Sequence, residues 1–325
     1  MASTPETTPE TTLEASSTKT AKNQPDFDHT KVEQVKLKRS ANGKDIVIDL
    51  PVEEINRENF PAVTIVTVTR NRKHFFPLAI DNWKRVYYPE EKLTWLVVDD
   101  SDSLEQSPIK LLKDLKDPKR VLFYYLPPKT EDGKLVGHSI GYKRNLAMTL
   151  IKTDFVAMVD DDDFLYPESI MSRMCSLLFY GKQCVYSDEL GVYSVHHENS
   201  YILEGFQDVP EGTLMFTKKF WEKNKFGEGT YGEGGQLVAG RELDMIRVPY
   251  FFNVIVLNHH TNITGKGRNI RFANTGALKN RASVSAPLNF YKLEFPKSFK
   301  DALKILAENN QAANPWRLDH TEKSS

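Results

Sequence analysis

The sequence predicts an α/β protein built on a mostly parallel, doubly wound sheet flanked by helices, with a smaller mixed region after it. Three observations carry this expectation. Strand-like and helix-like patterns alternate from about residue 61 onward, as parallel β-α-β units require. Three of the first four predicted strands end in polar or charged clusters, and the carboxyl ends of strands are where open α/β sheets bind ligands. The densest cluster lies in DFVAMVDDDDFLYP, Asp154 to Pro167, where five apolar residues run straight into Asp160, Asp161, Asp162 and Asp163.

Bulk composition narrows the function classes. Lys plus Arg number 43 against 44 Asp plus Glu, a formal charge of −1 over 325 residues. Nothing therefore draws the whole chain to nucleic acid or to an anionic membrane. The length allows one large core or two smaller ones. Cys175 and Cys184 are too few for a disulfide framework or a zinc set and read as small buried hydrophobes. No stretch approaches the ~18 apolar residues of a membrane span. The first residues carry no apolar signal core, so the expected compartment is the cytoplasm, where the Asn262-Ile263-Thr264 sequon has little meaning.

Residues 1–30 are rich in Thr, Ser, Glu and Pro, repeat PETT at Pro5 and Pro9, and hold no aromatic before Phe27. Such a segment cannot bury enough apolar surface to offset its ordering entropy and is expected to be a disordered tail. Within residues 31–60, Val32 to Leu50 predicts a leading strand or hairpin, with Asn42-Gly43 as the turn ahead of alternating Ile46, Ile48 and Leu50. The globular body is expected to start near Pro61, and its first half spans residues 61–167. Ala62 to Thr69 is β-branched and gives the first strand. A helix through Phe76, Ile80 and Trp83 should end near Tyr88-Pro89. Thr94 to Val98 is the second buried strand, Leu104 to Leu115 a helix, and Val121 to Leu126 the third strand. Ser139 to Ile151 predicts a helix with Ile140, Leu146, Ala147 and Leu150 on one face. The acidic strand comes fourth.

The second half, residues 168–272, changes character. It predicts a helix over Glu168 to Tyr180 and short strands at Cys184 to Ser187, Val192 to Val195, Tyr201 to Leu203 and Thr213 to Phe216. A helix near Lys218 to Asn224 follows. GEGTYGEGGQLVAGR then precedes the apolar VPYFFNVIVLNHH. This half is expected to bind an acceptor rather than to enclose a second core. Residues 273–325 form a C-terminal extension with a helix from Phe299 to Glu308.

Adjacent carboxylates raise one another's pKa, so four in a row are costly unless a cation neutralises them. Oxygen ligands favour Mg²⁺ or Mn²⁺, which usually bridge to substrate phosphates. The plainer alternative is a solvated acidic turn. Thr67, Thr69, Arg70 and Arg72 close the first strand, and Asp99, Asp100 and Asp102 close the second. Arginines on one wall and acids on another suit a nucleotide, although Asp99 or Asp100 could instead cap a helix. TRNRKHFF holds no glycine, which argues against a nicotinamide enzyme, and no Walker A loop occurs.

Taken in order, VTIVTVTRNR, WLVVDDSDS, GYKRNLAM and FVAMVDDDDFLYP resemble the successive motifs of glycosyltransferase family 2, whose fold is GT-A. The resemblance covers Val63 to Pro167 well and runs more loosely to Arg268. It implies transfer, with inversion, of a sugar from a UDP- or GDP-type nucleotide sugar to a glycan or other hydroxyl acceptor, assisted by Mn²⁺ or Mg²⁺. On this resemblance Thr67, Thr69, Arg72, Asp99 and Asp100 hold the nucleoside diphosphate, with Arg70 beside them. Arg144 and Asn145 face the diphosphate or sugar. The DxD motif falls on Asp160 and Asp162, with Asp162 preferred as the direct metal ligand. Asp161 and Asp163 complete the donor wall, Asp161 turned from the ion and Asp163 toward the donor sugar.

The family's Glu-Asp pair reads Glu233-Gly234 here, a departure at the second acid. It makes Glu233 the first choice of base, with Glu242 and Asp244 as alternatives. The late metal-binding His matches His259 or His260, of which at most one reaches the ion, because adjacent strand side chains diverge. Arg268 and Arg271 lie in a basic loop that could close over the diphosphate. Asp188 and Trp221 are acceptor-side candidates. Two other classes stay open. One is a sugar nucleotidyltransferase, for which a Gly-rich loop after the first strand is expected. The other is a non-catalytic nucleotide-sugar or carbohydrate-binding module, which the Gly234 departure allows.

Overall fold

The computed structural model describes residues 34–41, 44–49, 60–115, 120–195, 199–203, 209–229, 232–250, 253–259 and 295–311. The expected tail, the sequon, His260, Arg268 and Arg271 lie outside them. β1 (Gln34–Ala41) and β2 (Lys44–Asp49) pair antiparallel on either side of residues 42 and 43, where the sequence predicts a hairpin turn.

A seven-stranded sheet forms the centre. Its first half holds β3 (Val63–Thr69), β4 (Leu93–Asp99), β5 (Val121–Tyr125) and β8 (Phe155–Met158). These four are mutually parallel, with β3 between β8 and β4. The sheet continues through β13 (Met215–Thr217), β10 (Cys184–Tyr186) and β14 (Met245–Arg247). Only β13 runs against the others. Strand order reverses direction between β3 and β8, so the topological switch point lies at the carboxyl ends of these two strands.

Alternation explains why these runs are strands buried on both faces. Val63, Ile65, Trp95, Val97 and Ala157 point to one core with Phe76, Ala79 and Trp83 of α1 (Phe76–Arg85) and with Ile170 and Met174 of α4 (Ser169–Tyr180). Val66, Leu96, Val98, Val156 and Met158 point to the other. There they meet Ala147 and Met148 of α3 (Ile140–Leu150), Phe220 and Trp221 of α5 (Lys218–Lys223), and Leu237 of α6 (Glu233–Val238). Ser139 caps α3 by accepting from the Tyr142 N–H at 3.2 Å.

A second sheet of four strands runs in the order β12 (Asn199–Leu203), β11 (Leu190–Ser194), β15 (Val254–Asn258), β9 (Phe164–Leu165). A third apolar cluster lies against this sheet and draws on both halves and the C-terminal segment. Phe164, Ile255 and Leu257 meet Phe75 and Leu78, Phe299 of α7 (Lys297–Gln311), and Phe295 just ahead of that helix. From the C-terminal helix, Phe299 and Ala302 enter this core.

Elsewhere the differences are local. Leu104 to Leu115 was expected to be helical throughout, but only α2 (Ile109–Lys113) forms, directly after Pro108, which lacks an N–H to extend a helix backward. The small hairpin β6 (Lys129–Glu131) and β7 (Lys134–Val136) carries charged, exposed side chains and shows no hydrophobic alternation. Thr213 belongs to the 3-10 turn Glu211–Thr213 that precedes β13, not to the strand. Among the described residues no helix is long and apolar enough to cross a membrane.

Candidate active site

The four aspartates leave β8 at the switch point, and each meets a different environment. Asp160 is the most open, with its Oδ1 3.1 Å from Arg144 Nη2. Asp161 is buried. It accepts from Thr69 Oγ1 at 2.6 Å and stands 3.1 Å from Arg72 Nε in an ion pair not aligned as a hydrogen bond. Burial pushes its carboxyl up to about 7, against the pull of Arg72. Asp162 Oδ2 receives Arg72 Nη2 and lies 3.0 Å from His259 Nε2. Asp163 is buried, and its Oδ1 accepts from Leu257 N at 3.1 Å, so it ties β9 to β15.

Residues that close β3 divide between scaffold and edge. Thr67 is fully buried; it donates to Val159 O at 2.9 Å and accepts from Trp95 Nε1 at 3.0 Å. Arg70 is held by Asp102 at 2.7 Å and Leu135 O at 3.2 Å. Arg72 lies over the Phe75 ring at 4.5 Å. Burial disfavours its charge, but Asp161 and Asp162 more than compensate, and its pKa rises above the ordinary guanidinium value.

At the end of β4, Asp99 Oδ1 accepts from Ser101 N at 3.0 Å and Ser101 Oγ at 2.5 Å. Burial still raises its pKa. Asp100 is wholly buried, accepting Lys143 Nζ at 2.6 Å and the His138 N–H at 2.6 Å. Lys143 Nζ also donates to Thr69 O at 3.0 Å and so joins α3, β3 and β4 at the edge. Burial lowers its pKa despite Asp100. Sequence reasoning passed over Lys143, because one lysine on a predicted helix gives no signal of being buried.

Arg144 and Asn145 part company. Arg144 is buried and joins Asp160 to Glu233, one guanidinium nitrogen on each. Asn145 instead accepts from Trp221 Nε1 at 2.9 Å and Phe226 N at 3.0 Å, and donates to Phe226 O at 2.9 Å. It fixes the segment ahead of α6, and Trp221 is part of a core. Glu233 is buried, which raises its pKa against Arg144, with Glu211 adding to the rise. Gly141 of α3 lets this happen, since any side chain there would collide with the Gly227 carbonyl.

Glu211, which no sequence pattern marks, is half-buried and accepts the Gly234 N–H at 2.9 Å. Glu242 and Asp244, the alternative bases, precede β14 at the amino edge of the sheet, opposite the aspartates. There Asp244 pairs with Arg241 at 2.9 Å. Asp188 pairs with the half-exposed Arg247.

Among the described residues no three His, Cys, Asp or Glu side chains converge to hold a metal unaided. Asp162 Oδ2 nevertheless meets His259 Nε2 at 3.0 Å and is ion-paired with Arg72. A carboxylate is the type of donor that suits Mg²⁺ or Mn²⁺, so the chemistry of this side chain would fit such an ion.

No protein-family model matches the chain, and no curated protein matches it. Among solved structures the chain is similar to S. aureus TarS 1–349, with 12% identity, 80% of this chain and 76% of that chain covered, and a TM-score of 0.46. It is also similar to the mannosyltransferase PcManGT from Pyrobaculum calidifontis, solved with GDP-Man and Mn²⁺, at 15% identity, 79% and 72% coverage and a TM-score of 0.46. TarS 1–349 in complex with UDP-GlcNAc gives 11%, 76%, 71% and 0.43. At these scores the likeness decides nothing about chemistry.

Proposed function

We propose that the chain is a glycosyltransferase of the GT-A type that moves a sugar, with inversion, from a nucleoside-diphosphate donor to a hydroxyl acceptor. One observation carries the reading. The buried Arg144 and the partly buried Arg72 stand with Asp160, Asp162 and His259 at the carboxyl edge where β3 and β8 part, the place where open α/β sheets take nucleotides.

In this reading residues 61–167 supply the donor side and residues 168–272 the acceptor side. Asp162 and His259 would supply the protein ligands of a Mn²⁺ or Mg²⁺ ion, with Asp160 beside them, and the ion would neutralise charge on the leaving diphosphate. Arg144 and Arg72 present fixed positive charge to the same group, and the burial of Arg144 and partial burial of Arg72 make that charge count for more than it would in water. Lys143 acts behind them: it clamps Asp100 to the Thr69 carbonyl and so sets the spacing of the β3 and β4 ends.

The test is nucleotide release from UDP-GlcNAc, UDP-Glc, UDP-Gal and GDP-Man with Mn²⁺ or Mg²⁺, for wild type and Asp162→Ala. The expected outcome is metal-dependent release of UDP or GDP that Asp162→Ala abolishes. Formation of a nucleoside triphosphate from donor and pyrophosphate would replace this reading with a nucleotidyltransferase. Tight donor binding without turnover would leave a binding module.

A further inference from the structure

Three carboxylates surround the buried Arg144 guanidinium, namely Asp160, Glu211 and Glu233. Two of them touch it directly, Asp160 through Nη2 and Glu233 through Nη1. Glu233 is 5% exposed, so its carboxylate is committed to the guanidinium and closed off. Glu211 differs, being half-buried and held through Oε1 by a backbone N–H, that of Gly234.

The seat of Glu211 is built from both sides. A Cβ at position 234 would stand 2.8 Å from Glu211 Cγ and 3.0 Å from its Oε1. Glycine at 234 is therefore the space in which Glu211 lies. Beneath, the fully buried Arg173 of α4 donates to Thr213 O and Leu214 O, both at 3.3 Å. Asn253 donates to Thr213 O at 3.0 Å, and Thr213 Oγ1 closes on Pro210 O at 2.7 Å. The turn that carries Glu211 is thus anchored by buried donors from separate segments. It also abuts the aspartate edge, since a Cβ at Gly212 would lie 3.1 Å from Asp160 Oδ2.

We propose that Glu211 is the catalytic base, taking the proton of the acceptor hydroxyl, while Glu233 holds Arg144 in place; this rests on the glycosyl-transfer reading above. A base must first reach the proton it removes; the half-buried Glu211 is open to an incoming hydroxyl, whereas Glu233 is closed off and paired with Arg144. In the step, the acceptor oxygen forms a bond to the anomeric carbon and the bond from that carbon to the diphosphate oxygen breaks. The bonding pair leaves with the diphosphate, and the hydroxyl proton passes to the Glu211 carboxylate.

The experiment uses the full chain with UDP-GlcNAc and GDP-Man, each with Mn²⁺ and Mg²⁺, and compares wild type, Glu211→Gln and Glu211→Ala. The glutamine keeps an oxygen for the Gly234 N–H, and matching melting temperatures exclude a folding defect. Nucleotide release to water or sugar hydroxyls is expected to fall roughly 10²–10⁴-fold in both variants, the usual worth of a general base, with donor affinity unchanged. Sodium azide attacks without losing a proton, so it should restore formation of the glycosyl azide in Glu211→Ala. Wild-type turnover in Glu211→Gln would overturn the assignment and leave the glycosyl-transfer reading standing. So would a loss that azide does not rescue and that tracks donor affinity. A wild type that neither binds nor turns over any of these donors would overturn both.

Discussion

Single residues at this edge are held mainly by charge, and the cost of disturbing each follows its burial. Lys143→Met removes the partner of the wholly buried Asp100 and leaves an uncompensated carboxylate. A loss of about 3–5 kcal/mol is expected by urea denaturation. Arg247→Ala, at the half-exposed pair with Asp188 and Glu189, should change stability by less than about 1 kcal/mol. Equal effects would contradict the burial argument. Glu233 gives a pH signature. Burial raises its carboxyl above the ordinary 4.5, so the folded state binds the proton more tightly than the unfolded state. Its contribution to stability is complete below that value and is lost as pH rises through the raised folded value. Glu233→Gln cannot titrate. The stability difference between the two proteins should therefore move in the variant's favour as pH climbs from 4.5, and a constant difference would refute the shift.

At the scale of elements, close packing between α3 and the segment leading into α6 decides whether Arg144 can meet Glu233. Gly141→Ala would drive a methyl group into the Gly227 carbonyl, and overpacking of this kind typically costs about 1–3 kcal/mol. Gly235→Ala, inside α6 where a Cβ meets nothing within 4 Å, should stabilise by roughly 0.5–1 kcal/mol through helix propensity. Thermal unfolding of the two variants should move in opposite directions. The same contrast explains what the sequence made legible. β3, β4 and β8 stand out as apolar runs because both their faces are buried. α6 lies hidden in a glycine-rich stretch, where Gly227 and Gly234 mark close approach and Gly232 takes a left-handed conformation. β6 and β7 are three residues each and largely exposed, Leu135 included, and leave no periodic trace. The aspartates and arginines could be read as a cluster, but which acid meets which cation could not. Several of those pairings join residues far apart in the chain, such as Arg144 with Glu233 at 89 positions and Asp162 with His259 at 97.

Over the whole molecule, the two sequence halves are not two folding units side by side. β3, β4, β5 and β8 come from residues 61–167, while β10, β13 and β14 come from residues 168–272, yet all seven share one hydrogen-bonded sheet. β13 inserts between β8 and β10, pairing Met215 with Ala157 and Val185. Both cores bridge the halves as well: Ala157 packs with Met174 and Val185 on one face, and Val156 with Phe216 and Phe220 on the other. Opening β10 and β13 alone would expose the hydrogen-bonding edge of β8 and remove Val185, Met215 and Phe216 from the two cores, and cooperative units follow such shared cores. Native-state hydrogen exchange should therefore give β4, β8, β10 and β13 a common opening free energy equal to that of global unfolding. If β10 and β13 exchanged through a distinctly lower-energy opening while β4 stayed protected, the halves would be separable. The edge that gathers Asp160 and Arg144 from one half with Glu211, Glu233 and His259 from the other would then depend on a joint that opens in the native state.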